Sequence, residues 1–262
     1  MHKLNRWIVR HTRLSKLIAA VIITALSFLL LNPNVMPFLM RYLIVFSSLF
    51  YGFLFINTAP ERLIRGPLQI LEEQCDPYPI LEETSFLMEV GGNDKLTQIA
   101  RINYAMALRQ VGEFEKVLSI LENISREQLD SAPELNRLVY ANNMADVLSN
   151  LDRFDEAEIW YERTMDIYRN LPEGKIKESC RKPMMLSEAE SLYRTGNYTD
   201  ALRKVSAIPC QTRRFLMDAT LLAARCDLAL NQPEKATEKL NYIIANGNKL
   251  YCVEQAKRML AD

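Results

Sequence analysis

Residues 195–208 read TGNYTDALRKVSAI, and the pattern of that stretch recurs twice upstream: VGEFEKVLSILENI at 111–124 and LDRFDEAEIWYERTM at 151–165. Each copy has a turn residue (Gly112, Asp152, Gly196), an aromatic two positions later (Phe114, Phe154, Tyr198), and a small or apolar residue three further on (Val117, Ala157, Ala201). Upstream, an alanine stands seven before the turn (Ala105, Ala145, Ala189) and a leucine four before (Leu108, Leu148, Leu192). A fourth, weaker copy runs Ala224, Asp227, Asn231, Pro233, Ala236. The physics is that of a helical hairpin. Gly, Asn or Asp accepts the left-handed conformation that ends a first helix. The alanines let a second helix approach it closely, and the aromatic is expected to pack back on the pair. From Leu68 onward apolar residues recur at helical spacing, without strand-like alternation, so the chain reads as all-α.

On these residues the chain resembles the tetratricopeptide repeat family over roughly 95–248, as about four units. The turns fall at 112, 152, 196 and 231, so the spacings are 40, 44 and 35 residues against the family's 34. The extra residues are placed between hairpins, at Ser125–Pro133 and Leu171–Pro183. The fourth unit lacks the aromatic, and the Trp usual in the first helix is missing. Before the repeats, 61–94 reads as a leading helical pair around Asp76-Pro77-Tyr78-Pro79, with Gly66-Pro67 as a kink or short joint. After them, 249–262 reads as a capping amphipathic helix, since terminal solenoid units shield the stack.

The N-terminal end differs in composition. Residues 1–60 carry six basic side chains and no acid, leaving 26 basic against 32 acidic in the remainder. Two apolar segments, about 14–31 and 38–57, are each long enough to cross a hydrocarbon core of about 30 Å. Asn32-Pro33-Asn34 separates them, and Arg41 is placed at an interface where it can snorkel. The sequence predicts two transmembrane helices forming a hairpin within 17–57, preceded by a basic cytoplasmic N-terminus, 1–16. Lys and Arg flank the hairpin on both outer sides, which puts both termini in the cytoplasm. A cleaved signal peptide is disfavoured, because no small-x-small site follows the first segment. Contact of the basic start with anionic lipid is an added expectation. The compact anchor points to a bacterial plasma (inner) membrane.

Chemistry is scarce. The only histidines, His2 and His11, precede the anchor, which removes Ser-His-Asp and Cys-His pairs from the remainder. Cys75, Cys180, Cys210, Cys226 and Cys252 are odd in number and irregularly spaced, as free thiols in a reducing compartment would be. Gly91-Gly92-Asn93-Asp94-Lys95 lacks phosphate-loop spacing and reads as a turn and helix cap. Glu72-Glu73 and Glu82-Glu83 read as solvated faces. The acidic remainder argues against nucleic acid. No enzyme, cofactor or metal is expected.

What remains is surface. The resemblance implies that the first helix of each hairpin lines a groove for extended or helical peptides. By repeat position that groove carries Asn103, Met106 and Arg109, then Asn142, Asn143 and Asp146, then Glu190 and Arg194, then Arg225. Asparagine can satisfy a peptide backbone, and the arginines suit a carboxylate. The lysines of the family's carboxylate clamp are not at matching places. The function expected is a membrane-anchored scaffold for an unidentified protein or peptide partner at the cytoplasmic face, with lipid contacted through 17–57. The alternative is an envelope-assembly or secretion factor with its repeats facing outward.

Overall fold

The structure is a computed structural model that describes residues 2–30, 38–91, 95–130, 132–210 and 212–261. Regular structure among these residues is helical throughout: α1 (His2–Arg10), α2 (Thr12–Leu30), α3 (Phe38–Asn57), α4 (Ala59–Gln74), α5 (Tyr78–Gly91), α6 (Lys95–Arg109), α7 (Phe114–Glu122), α8 (Arg126–Asp130), α9 (Glu134–Asn150), α10 (Phe154–Asn170), α11 (Lys175–Arg194), α12 (Tyr198–Ser206), α13 (Arg213–Ala229), α14 (Pro233–Asn246) and α15 (Tyr251–Ala261). The Asn32-Pro33-Asn34 turn and Gly92-Asn93-Asp94 lie outside the described residues.

The four hairpin turns share one geometry. Gly112, Asp152, Gly196 and Asn231 have φ of 82°, 58°, 80° and 55°. The next residue's N–H reaches back five positions in each: Glu113 to the Leu108 carbonyl at 3.2 Å, Arg153 to Leu148 at 2.9 Å, Asn197 to Leu192 and Gln232 to Asp227 both at 2.8 Å. The turn residue's own N–H bonds three back, to Arg109, Ser149, Tyr193 and Leu228. That double bond is the Schellman stop, which satisfies carbonyls a helix end leaves open. Ala105, Ala189, Ala224, Ala157, Ala201 and Ala236 are fully buried where the paired helices meet. In the fourth unit Asp227 replaces the leucine, and its 1% exposed side chain is neutralised by Lys239 Nζ at 2.6 Å.

Several expectations need correction. Only Phe114 of the aromatics is buried; Phe154 is 48% exposed. The added segment at Ser125–Pro133 contains the short helix α8, and the one at Leu171–Pro183 is largely the start of α11, which runs through Pro183. Proline costs a helix one backbone bond. Burial of Cys180, Met184 and Leu186 along that helix outweighs it. Pro67 likewise sits inside α4, so Gly66-Pro67 is no joint.

At the N-terminal end α2 and α3 pack together, and the pairing continues beyond them as α1 against α4. Backbone bonds carry through both breaks, His11 N–H to the Trp7 carbonyl and Thr58 N–H to Leu54. α4 therefore follows α3 with no linker. Arg62 ties the corner: it donates to Asn5 Oδ1 and to the Phe55 carbonyl at 2.6 Å, with its guanidinium 3.9 Å from the Phe55 ring. One segment among the described residues, Met40–Asn57, is long and apolar enough to cross a membrane, against the two expected. The first segment does form α2, but Arg13 and Lys16 occupy its first five residues and Leu31 lies outside the described residues.

The basic start is also not free for lipid as a whole. Glu83 accepts from His2 Nε2 at 2.7 Å and from Arg6 Nη2 at 2.6 Å, while Arg6 also reaches Glu82 and Arg10 reaches Glu89. Glu83, read as solvated, is buried: docking α1 covers it, and the cost of dehydrating the carboxylate is offset by those donors.

The solenoid closes on itself. α4 packs against α13, and Glu72 accepts from Thr212 Oγ1 at 2.5 Å and Arg214 Nε at 2.6 Å. Asp76 pairs with Lys249 at 2.6 Å, and Asn248 donates to the Gln74 carbonyl at 2.8 Å. Tyr251, opening α15, donates its N–H to the Gln110 carbonyl at 2.8 Å and sets its ring edge-on to Phe114. One apolar core thus unites the leading pair (Leu71, Cys75, Ile80) with the last unit (Met217, Leu240, Ile243) and α15 (Val253, Ala256).

Candidate functional site: the inner wall of the ring

The first helices of the units stand like staves around an axis, so one repeat position recurs at one height. Six residues before each turn come Met106, Asp146, Glu190 and Arg225. Two cavities lie along this axis, of about 360 and 460 Å3, and both are lined by Arg109, Asp146, Glu190, Arg225 and Gln255. These shared residues form the layer where the cavities meet. Volumes of this size fall at the low end of ligand pockets.

Of the residues assigned to the groove, Met106, Arg109, Asn142, Asn143, Asp146, Glu190 and Arg225 line the first cavity, and Arg194 lines the second. Asn103 is half-buried on α6 and lines neither. Closure changes what these groups can offer. Arg109 is ion-paired with Asp146, which also accepts from Asn142 Nδ2 at 3.1 Å. Ser187 donates to Asn142 Oδ1 at 2.6 Å. Arg194 bonds Glu158 on α10 at 3.1 Å. Two of the three candidate arginines are thereby committed to internal carboxylates. Asn143 is 3% exposed, and its Nδ2 has no hydrogen-bond partner among the described residues. It is part of the packed wall rather than a surface residue.

Arg225 and Glu190 differ: neither has an ion pair or side-chain hydrogen bond among the described residues. Burial in the wall, helped by the Asp146 carboxylate, raises the Glu190 pKa to about 8 against the pull of Arg109 and Arg194. Asp218 is raised too, first by burial, with Arg214 and Arg109 opposing.

Residues missed from sequence are Arg214 and Asp218 on α13, Gln255 and Tyr251 on α15, and Glu72 on α4, which joins the wall network through Arg214. Arg214 donates to Asp218 Oδ2 at 2.7 Å as well as to Glu72. Asp218 was within reach: it lies seven residues before Arg225, on the same helical face. Gln255 and Glu72 carry no such signal, because only ring closure brings α15 and α4 to the axis.

Among the described residues no group of three metal-ligating side chains converges. Cys75, Cys180, Cys226 and Cys252 are buried and Cys210 is half-buried. Burial raises all five thiols, Cys226 to about 11. Such thiols are poor nucleophiles near neutral pH.

The tetratricopeptide repeat family model matches residues 137–171. That stretch holds most of α9 and all of α10, the second hairpin with its turn at Asp152. Comparison with curated proteins and with solved structures gives no match. The match and the all-helical fold support a tetratricopeptide-repeat protein, a kind of domain that serves as a protein-interaction scaffold.

Proposed function

We propose that this chain is a membrane-anchored, non-enzymatic scaffold. The apolar pair within 17–57 spans the bilayer as a hairpin, both termini lie in the cytoplasm of a bacterial cell, and the repeat ring at 95–248 holds a protein segment beside the membrane. The observation that carries this reading is the ion pair of Arg6 with Glu83. Arg6 precedes the first apolar segment and Glu83 follows the second, so the two flanks must lie on one side of any membrane the pair enters. The outward side chains between them suit lipid: Phe46 is 73% exposed, Tyr51 67% and Leu17 62%. In water such a patch is a liability. The lack of a linker after α3 keeps the ring close to the bilayer, where tethering raises its effective concentration for a membrane client.

Four of the five native thiols are buried and Cys210 is half-buried, so the test uses Arg203→Cys in a Cys210→Ser background, the parent Arg203 side chain being 80% exposed. A membrane-impermeant maleimide should label this variant in lysed cells and spare it in intact ones. Labelling in intact cells would overturn the cytoplasmic placement. For the scaffold role, a photo-crosslinking residue in place of Gln255 in native membranes should give protein adducts that Arg225→Ala diminishes. Adducts unaffected by Arg225→Ala, or none at all, would remove the inner wall as the binding surface.

A further inference from the structure

The second cavity reaches the turn end of the ring, and its unmatched charges are separated along the axis. Counted from the left-handed turn residues, Asp146, Glu190 and Arg225 stand six positions before, Tyr193 three before, and Phe154 and Tyr198 two after; all line this cavity, as does the turn residue Asp152. At 1.5 Å per helical residue, the layer of Arg225 lies about 9 Å below the turn layer. Arg109 is matched there by Asp146, and Arg194 by Glu158 on α10. Burial raises the Glu190 pKa to about 8, so near neutral pH this side chain is mostly a neutral carboxyl. Arg225 is left as the uncompensated cation among the described lining residues. Burial raises the Tyr193 phenol and the Arg225 charge opposes that rise, which sets the guanidinium close to Tyr193. At the turn layer Asp152 is exposed and has no ion pair or side-chain hydrogen bond among the described residues.

We propose that this cavity binds a small free zwitterion, an ω-amino carboxylate, with its carboxylate at Arg225 and its ammonium at Asp152 beside Phe154 and Tyr198. The inference goes beyond the scaffold role, which names no small ligand. Arg225 presents a planar fork of donors to a carboxylate, and the neutral Glu190 carboxyl in the same layer adds an O–H. At the other end Phe154 is 48% exposed, while its counterpart Phe114 is packed under Tyr251. Aromatic faces attract an ammonium. The arginines of this side stack elsewhere, Arg163 on Trp160 and Arg194 on Tyr161, so among the described residues no cation covers Phe154 or Tyr198. A carboxylate held between the levels of Arg225 and Tyr193 lies about 5–9 Å below Asp152. Bond lengths put the two charges of extended ε-aminocaproate about 7 Å apart and those of glycine under about 3 Å. A ligand with one charge pairs with one end of the cavity and leaves the other end unmatched as water is displaced. The volume of about 460 Å3 suits a small molecule.

The test uses the full chain in lipid nanodiscs near neutral pH, with empty nanodiscs as blank, and titration calorimetry. The main probe is ε-aminocaproate. Its comparators are caproate, which lacks the ammonium, hexylammonium, which lacks the carboxylate, and glycine, which has both too close together. The zwitterion should bind saturably, and each comparator at least about tenfold more weakly, the worth of a hydrogen bond to a charged group. Asparagine accepts the left-handed conformation, so Asp152→Asn removes the charge and keeps the turn. On that variant ε-aminocaproate should weaken about tenfold and bind like caproate. On Arg225→Gln it should weaken by a similar factor and bind like hexylammonium, with helicity by circular dichroism unchanged in both. Equal binding of ε-aminocaproate and either singly charged comparator to the wild type would overturn the inference. So would glycine binding as tightly as ε-aminocaproate, a preference for the zwitterion that survives in both variants, or no saturable binding of ε-aminocaproate at millimolar concentration.

Discussion

Gly112→Ala and Gly196→Ala together measure how firmly the ring is closed. Both glycines end a first helix in the left-handed region, at φ of 82° and 80°. An alanine at either place pays the left-handed penalty, about 1–2 kcal/mol. The sites differ in what a new Cβ meets. At Gly196 there is nothing within 4 Å, whereas at Gly112 it would lie 2.7 Å from Cγ and Cε2 of the Tyr251 ring. That ring belongs to α15, at the far end of the chain, and relieving the clash disturbs its contact with Phe114 and its bond to Gln110. Overpacking of this kind costs a further 1–3 kcal/mol or so. Gly196→Ala should therefore lose about 1–2 kcal/mol and Gly112→Ala about 2–5. Equilibrium urea unfolding of the full chain in detergent reads the difference through the midpoint at constant slope. Adding Gly112→Ala to a Tyr251→Ala background should cost only the left-handed term, because the ring is gone. If the two single variants agree within about half a kcal/mol, Tyr251 does not press on Gly112 and the closure is wrong.

Removing the charge at Glu83 should matter and at Glu82 should not. Glu83→Gln leaves Arg6 without its best acceptor beside a 4% exposed side chain and should cost about 1–3 kcal/mol, whereas Glu82, 68% exposed, should stay within about half a kcal/mol; equal urea midpoints for the two variants would refute the docking of α1. Glu190 makes stability depend on pH. Its folded pKa lies above the unfolded one, so the native state holds the extra proton between them. The stabilisation is therefore present below the unfolded value of about 4.3 and is lost as pH rises towards about 8. Glu190→Gln should flatten part of the fall in urea midpoint between about pH 5 and pH 8; burial raises Asp218 too, so its contribution in the same direction remains. An unchanged slope would mean that Glu190 is not held in the protonated form.

Local rules made the hairpins legible. The left-handed turns at Gly112, Asp152, Gly196 and Asn231, and the alanines under them, follow from backbone sterics and helix spacing, both written within some ten residues of sequence. For the same reason repeat position alone brought Asp146, Glu190 and Arg225 to one face. Where a local rule was opposed by burial, as at Pro183 within α11, the sequence reading stopped a helix that the structure continues.

Closure was not legible. Glu72 meeting Arg214, Tyr251 meeting Gly112, and Arg6 meeting Glu83 join residues 77 to 142 positions apart. No periodicity encodes such meetings, because they depend on small rotations between successive hairpins summed around the ring. Those rotations decide whether Arg109 and Arg194 face a ligand or an internal carboxylate, and they leave Arg225 and Glu190 among the unpaired groups. Helices, turns and the apolar N-terminal end are therefore written in local spacing, whereas the pairing of each charge depends on distance in space and not along the chain.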